Sequence, residues 1–526
     1  MAPSNGSLAS APENPGDPVL INRRDLLTTA ASLASIGMVR AATAAPALAE
    51  GAPSGRAHDL IIVGAGTAGL PAAIFASRRG ARVLLLDAAP VIGGTLHLSS
   101  GQMSAAGTRL QASLGIVDSA DAHFDDVMRI SRGSANPEIV RLAVDQAGPT
   151  VDWLMDCGFE PLAGHPVMGL GHEFYSQRRY YWGEKAGRSI LEVLVRQFEA
   201  ERAHGRIDLV LDSPVTALLR SDSGAIEGVR ATRGGTERVY RGRRVLLASG
   251  GYASNPAFWE ELDGYRQHVN IAYPYSRGDG LRLARSVGGY LRGRSMYLTT
   301  FGAIPDSESS PTGLQAVFET WPDRRAPWEI YVNVRGERFV REDEPSVHQR
   351  ELAILPQPEQ RFWIVFDEHM LATAPPGVTD WSRADIRKAA AAQRVFYTAA
   401  TLAELARRAG IDPQGLECTV RRYNDAVASG HDPWGREHLP AAFGEGPYYA
   451  IRMQGFAVTS NVGIAVDARL RVIDVHGNPI QGLYAAGEAL GHSQTSGKAY
   501  IGGMSVTPAL SLGRLLGQTL PLGAGR

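Results

Sequence analysis

Cysteine is nearly missing: the 526 residues hold two, Cys157 and Cys418, far apart in the chain. A disulfide-stapled scaffold is thereby excluded, and two buried thiols are the plainer reading even for an exported protein. No C-x-x-C-H occurs, so no c-type haem is attached to this chain, and no His/Cys cluster has zinc spacing, so no metal site is expected. A surplus of one charge is missing too. Lys plus Arg number 53 and Asp plus Glu 54, a formal net charge of -1, which gives no footing for nucleic acid or an anionic membrane as partner. Beyond the N-terminus no apolar stretch approaches the roughly 18 residues of a membrane span, so none is expected in the mature chain. What is present is an ordinary globular balance, 44% hydrophobic and 20% charged, with material for two or three domains.

Residues 1–49 read as a targeting segment. Asn22-Arg23-Arg24-Asp25-Leu26-Leu27 opens a mild, Ala-rich apolar run, and Ala47-Leu48-Ala49 supplies an A-x-A cleavage site. The paired arginines are similar to a bacterial twin-arginine signal, a route that carries folded proteins to the periplasm or beyond. An ordinary secretory signal, or a tail with a chance arginine pair, stays open as the alternative.

His58 to Val63 is a short apolar, β-branched run, the pattern of a buried parallel strand. It enters Gly64-Ala65-Gly66-Thr67-Ala68-Gly69, a G-x-G-x-x-G. A helical stretch follows from Leu70 to Arg79, then Gly80, and then a second strand, Arg82 to Leu86, that ends at Asp87. Strand, glycine turn, helix, strand and an acid about twenty residues after the glycines make a dinucleotide site. In such a site the first glycine turns, the second admits the pyrophosphate and the third lets the helix pack close. The helix N-terminus then faces the phosphates, and Asp87 takes the ribose hydroxyls.

A second glycine turn, Val91-Ile92-Gly93-Gly94-Thr95, comes straight after the acid, and then Ser99-Ser100-Gly101-Gln102-Met103. This suits a ligand longer than a nicotinamide dinucleotide, one whose far end returns over the sheet. Two more strands end in small residues: Arg244 to Gly251, and Gly482 to Glu488 near the C-terminus. A nucleotide domain built from both ends of the chain must be discontinuous.

These blocks, with Ser276-Arg277-Gly278-Asp279-Gly280 ahead of a helix, resemble the flavoprotein superfamily of fumarate reductases and 3-ketosteroid dehydrogenases over residues 58–520. The resemblance implies an α/β fold: a discontinuous Rossmann-like FAD-binding domain over 56–290 and 444–526, with an α+β capping domain inserted over 291–443. It implies FAD held without a covalent bond, because Thr95 stands where relatives link flavin through histidine. His97, two positions on, is a polar residue near the flavin face or a satisfied core histidine. The cofactor-binding positions implied are Gly64, Gly66, Thr67, Ala68, Gly69, Asp87 and Ala88. To these it adds Gly93, Gly94, Thr95, Ser100, Gly101, Gln102, Met103, Val215, Ala248, Ser249, Gly250 and Asp279. Gly487, Glu488, Gly503, Ser505 and Val506 complete the set, and the last helix, Pro508 to Gly517, points its N-terminus at the flavin.

Within the cap, Ile330 to Val340 reads as a hairpin around Arg335-Gly336 and resembles the family's V-N-x-x-G-x-R-F-V-N-E segment. Fumarate-type members clamp two carboxylates with arginine and histidine. Here four of those positions differ: Arg341 to His348 offers acids and one histidine, Glu368-His369 follows the F-D strand, Thr459 to Gly463 lacks the histidine, and Tyr500 stands where the tail arginine is expected. A phenol beside a glycine pair is similar to the ketosteroid dehydrogenase tail. A phenol donor can polarise a ketone while a second group removes the adjacent proton and hydride leaves the next carbon. The expected catalytic set is therefore Tyr500, Tyr275, Tyr181 and His348. The aromatics Phe174-Tyr175, Tyr180-Tyr181-Trp182 and Tyr273-Pro274-Tyr275 suit a flat apolar, steroid- or terpenoid-like substrate. Two alternatives stay open, a reductase of small unsaturated acids and a flavoprotein subunit that relays electrons. With no haem on the chain, each reading needs a separate acceptor, a quinone or a cytochrome.

Overall fold

The computed structural model describes residues 57–169, 172–296, 299–392 and 394–522; the expected export segment lies outside the described residues. β1 (Leu60–Val63) and β2 (Val83–Leu86) are buried at every residue and run parallel, Leu60 opposite Val83 and Val63 opposite Leu86. Strands covered on both faces cannot alternate apolar with polar residues, so each reads as one aliphatic stretch. Between them lies α1 (Gly69–Arg78), and further on come α2 (Gly187–Arg202), β3 (Ile207–Val210), β4 (Val245–Leu247) and α3 (Asp279–Ser286). A three-stranded antiparallel sheet, Val215–Arg220, Ile226–Arg233 and Thr236–Arg241, is inserted between β3 and β4.

From Thr300 the pairing becomes antiparallel. The strands are β5 (Thr300–Pro305), β6 (Leu314–Val317), β7 (Ile330–Val332), β8 (Arg361–Asp367), β9 (Phe396–Ala399) and β10 (Tyr448–Phe456), and helix α4 (Val347–Ile354) falls between β7 and β8. The sheet order is β6-β5-β10-β8-β7, with β9 also on β10. The hairpin turn is present: Gly336 has φ 70, and a Cβ there would stand 2.3 Å from the Leu416 amide nitrogen. β10 pairs with β8 from Tyr448 opposite Asp367 to Gln454 opposite Arg361. The expected return to the nucleotide unit at 444 is therefore corrected. The apolar run 448–456 finds its partners only in the middle of the antiparallel sheet, so the chain leaves the cap after Phe456.

β11 (Arg471–Ile473), β12 (Pro479–Ala485) and α5 (Val506–Thr519) complete the chain. β12 lies parallel to β4, giving the six-stranded order β11-β12-β4-β1-β2-β3, built from both ends of the sequence. α5 presses on α1 through glycine: an added Cβ would stand 2.2 Å from Ala68 O at Gly513 and 2.6 Å from Ala72 O at Gly517. Leu291–Arg292 pairs with Gly463–Ile464, so the chain's exit to the cap and its return lie side by side. Cys157 and Cys418 are free thiols, each half-buried. Among the described residues no helix is long and apolar enough to cross a membrane.

Candidate active site

The turn after β1 is tied to its neighbours by backbone: Gly64 N–H donates to Leu86 O and Ala248 N–H to Val63 O, both at 2.8 Å. Gly64 has φ 111 with room for no side chain, and a Cβ at Gly69 would stand 1.8 Å from Gly64 O. The fold alone demands glycine at both. Gly66 differs, because its Cβ would meet nothing nearer than the Gly94 Cα at 3.8 Å. Glycine there leaves space, at the point where a pyrophosphate belongs.

Asp87 ends β2. Its carboxylate accepts from Ala65 N–H at 2.6 Å and Ala89 N–H at 2.8 Å. Burial pushes its pKa above the usual carboxylate value, while the N–H groups of Ala89, Ala65 and Ala88 pull it back. Ser213 N–H donates to Asp87 O at 2.8 Å, which brings Val215 to the same end of the sheet. Ser249 Oγ accepts from Gly280 N–H at 3.1 Å, and Gly250 turns the chain with φ 75. Gly93 N–H closes on Ala65 O at 2.8 Å. Thr67 and Ala68 open α1, which has no side-chain cap; α5 has none either, since the Ser505 hydroxyl turns instead to His492 Nδ1 at 3.2 Å. Gly487, at φ 76, reaches the α1 end, where its Cβ would stand 2.9 Å from the Ala68 side chain. Glu488 accepts from Ser460 N–H at 3.0 Å and Ser460 Oγ at 3.1 Å, and burial raises its pKa. A backbone cradle without side chains, a half-buried acid at each side and two uncapped helix ends fit FAD.

At the α5 end of this cradle the chain builds a cleft. Met103–Ser104 pairs with Tyr180–Tyr181; Ser104 N–H donates to Thr507 Oγ1 at 2.8 Å, and Gly503 (φ 80) packs on the Ser104 backbone. Tyr175 donates to Gly502 O, fixing the glycine pair from the other side. On this frame Tyr500 is 41% exposed and donates a long bond, 3.4 Å, to Gln102 Oε1. Desolvation raises the pKa of its hydroxyl, so it remains a proton donor. The buried Tyr180 hydroxyl faces that of Tyr500 and interacts with it.

His172 donates its backbone N–H to Tyr500 O at 3.0 Å, and its Nδ1 accepts from Tyr500 N–H at 3.3 Å. Its Nε2 lies 2.6 Å from Glu351 Oε2. The His348 ring is 4.9 Å from that of His172. Burial first, then His172 and the exposed Arg132 (φ 52), push the His348 pKa down to about 4, and its Nδ1 is buried without a partner. Burial likewise holds His492 at about 4. The cleft therefore offers a neutral imidazole and a protonated phenol at neutral pH.

Two expected catalytic residues lie elsewhere. Tyr181 points into the nucleotide-unit core and bonds Thr108 Oγ1 at 2.7 Å. Successive side chains of a strand face opposite ways, so its neighbour Tyr180 faces Tyr500 instead. Tyr275 packs at a tilt against Tyr273 with Arg277 over its ring, and Tyr273 lies within electrostatic reach of Asp87, so this pair sits on the adenosine side. Tyr500 and His348 each neighbour His172, Tyr500 through its backbone and His348 through its ring. Asp279 pairs with Arg282 on its own helix. Thr95 lies in a short turn, Gly94–His97, and His97 Nε2 bonds Ile92 O at 2.9 Å, the satisfied state of the two readings. Sequence reasoning missed His172 and Glu351, and it placed Tyr180 only among the wall aromatics, because a two-residue strand has no period that separates it from Tyr181.

Fold and cleft together define a flavin-dependent oxidoreductase. The chain belongs to the FAD binding domain family, whose profile matches residues 59–506, in the fumarate reductase and ketosteroid dehydrogenase superfamily. It is 31% identical over 464 residues to "Fumarate reductase (cytochrome)" of Shewanella frigidimarina, covering 88% of this chain and 76% of that one. It is 27% identical over 550 residues to 4-oxocyclohexanecarboxylate 2-dehydrogenase of Sinomonas cyclohexanicum, covering 88% and 92%. The crystal structure of 3-ketosteroid-Δ4-(5α)-dehydrogenase from Rhodococcus jostii RHA1 matches with a TM-score of 0.62 at 25% identity, over 88% of this chain and 96% of that one. The chain is an FAD-dependent enzyme acting on CH–CH bonds.

Proposed function

We propose that this enzyme acts on a CH–CH bond next to a carbonyl in an apolar, ring-bearing substrate. The observation that carries the reading is the polar equipment of the cleft, a phenol and a neutral imidazole, while the arginines of the neighbouring cap segment are spent on the fold. Arg338 is buried between Glu342 and Asp432, Arg341 pairs with Asp343, and Arg350 lies buried under Trp321 and donates to Thr320 O. In oxidation the Tyr500 hydroxyl polarises the ketone oxygen and His348 accepts the proton of the adjacent carbon. Bound FAD supplies the hydride acceptor for the next carbon, or the donor in the reverse direction. Tyr180, Tyr175 and Trp182 provide the apolar wall.

A second reading, reduction of a small unsaturated acid, is favoured by Arg132 beside His348 and by the similarity to the Shewanella enzyme. With reduced viologen as donor, a cyclic enone should be turned over faster than fumarate; the reverse order would select the second reading. The flavin is held without a covalent bond, and acid precipitation should leave all of it in the supernatant. The acceptor is a separate quinone or cytochrome, and the chain is exported through the twin-arginine route. An Arg23→Lys, Arg24→Lys precursor should then stay in the cytoplasm, and periplasmic activity from it would remove the export reading.

A further inference from the structure

Glu351 sits on cap helix α4, whereas His172 and Tyr500 belong to the nucleotide unit. The side chains of His172 and Glu351 are 3% and 5% exposed at a separation of 2.6 Å. Because His172 Nδ1 accepts from Tyr500 N–H, its ring proton is on Nε2, the atom that faces Glu351. Both ring nitrogens are therefore engaged, one by the Tyr500 backbone and one by the cap. With the His172 backbone N–H on Tyr500 O, His172 holds the Tyr500 backbone on both sides of its Cα, once through its main chain and once through its ring. Turning the ring breaks either the bond to the catalytic loop or the bond to α4. The residues on either side are held by other groups, Lys498 N–H on Ser134 Oγ and Gly502 O by the Tyr175 hydroxyl, while the backbone N–H and C=O of Tyr500 itself both meet His172.

We infer that Glu351 is a positioning residue, acting through His172 to set the height of the Tyr500 hydroxyl, so that the cleft is complete only when the cap is docked. The inference rests on the reading of Tyr500 as the ketone-polarising donor. A carboxylate buried on the cap face is costly unless a partner meets it, so the pair also makes the docked position of the cap self-consistent.

The test is steady-state kinetics on FAD-loaded Glu351→Ala, Glu351→Gln, Tyr500→Phe and the double variant Glu351→Ala/Tyr500→Phe, with a ring ketone that the wild type oxidises. Glu351→Ala is expected to lower kcat about 10- to 100-fold with KM within about threefold, as for a misplaced catalytic group. Glu351→Gln, whose amide oxygen still accepts from Nε2–H, is expected to recover most of the loss. The double variant should be no slower than Tyr500→Phe alone, since both changes act on one group. Where Glu351→Ala yields no holoenzyme, Glu351→Asp replaces it; the carboxylate withdraws by one methylene, and about a tenfold loss is expected. Wild-type kcat in Glu351→Ala, or additive losses in the double variant, would overturn the inference while leaving Tyr500 in place. Wild-type turnover in Tyr500→Phe would instead overturn the reading on which it rests.

Discussion

Ser346, Asp367, Thr401 and Asp412 each turn a side-chain oxygen onto the first turn of a cap helix, over 347–354, 368–373, 402–409 and 413–429. The nucleotide unit caps in the same way the helices that lie off the cradle, through Thr108, Ser119 and Asn136. The helices that face the cradle start otherwise. α2 gives its Gly187 N–H to Ser99 O, α3 gives Gly280 N–H to Ser249 Oγ, and α1 and α5 have no side-chain acceptor at all. Open N–H groups at a helix start need a partner. In the cap the sequence supplies it, and at α1 and α5 bound FAD would. The cap is thus self-sufficient, while the nucleotide unit is finished by its ligand.

The glycine turn separates fold from cofactor most sharply. Gly69→Ala forces a Cβ against the Gly64 carbonyl and is expected to cost more than about 4 kcal/mol, leaving little folded protein. Gly66→Ala has room and should fold, yet lose flavin, because the methyl fills ligand space. Urea unfolding of the apo-forms beside flavin content distinguishes the two; equal loss of stability would break the comparison. Next in size is Tyr500→Phe, expected to lower turnover on the order of 10²–10³ with full flavin content, the effect of one lost oxyanion donor. Flavin loss at unchanged turnover per flavin would make Tyr500 a loop support.

The pH profile follows in magnitude. His348 is neutral above about 4 rather than above its ordinary 6.5. As a base it should give activity that is flat from pH 7 to 5 and falls tenfold per unit below about 4; an inflexion at 6.5 would place it outside the cleft. The linkage sign agrees: a depressed histidine favours the folded state above pH 6.5, and that contribution is lost as pH falls from 6.5 towards 4. Smaller still, Tyr181→Phe should cost about 1 kcal/mol through the lost Thr108 bond with turnover within about threefold, whereas Tyr180→Phe should change turnover. Thr401→Ala is expected to cost about 1 kcal/mol and no flavin, the cap counterpart of Gly66→Ala.

The nucleotide unit was legible because its motifs are local. β1, the glycines and Asp87 fall within one stretch, and each residue's job follows from backbone sterics. Tyr500 was legible as the residue standing in place of an arginine. The cap boundary was missed because membership of β10 in a sheet depends on partners about ninety residues away. Tyr181 was preferred to Tyr180 because a two-residue strand has no period to read. His172 lies in a loop and Glu351 on a helix 179 residues later, and no spacing in the chain announces that pairing.

Anaerobic titration of the oxidised holoenzyme, followed by loss of the flavin absorbance, tests the central claim most directly. Saturated ring ketones, steroid or terpenoid, are expected to bleach the flavin of the wild type in a single turnover. Tyr500→Phe should bleach on the order of 10²–10³ more slowly, and succinate should leave the flavin oxidised. Bleaching by succinate alone would contradict the account and make the cleft one for small acids.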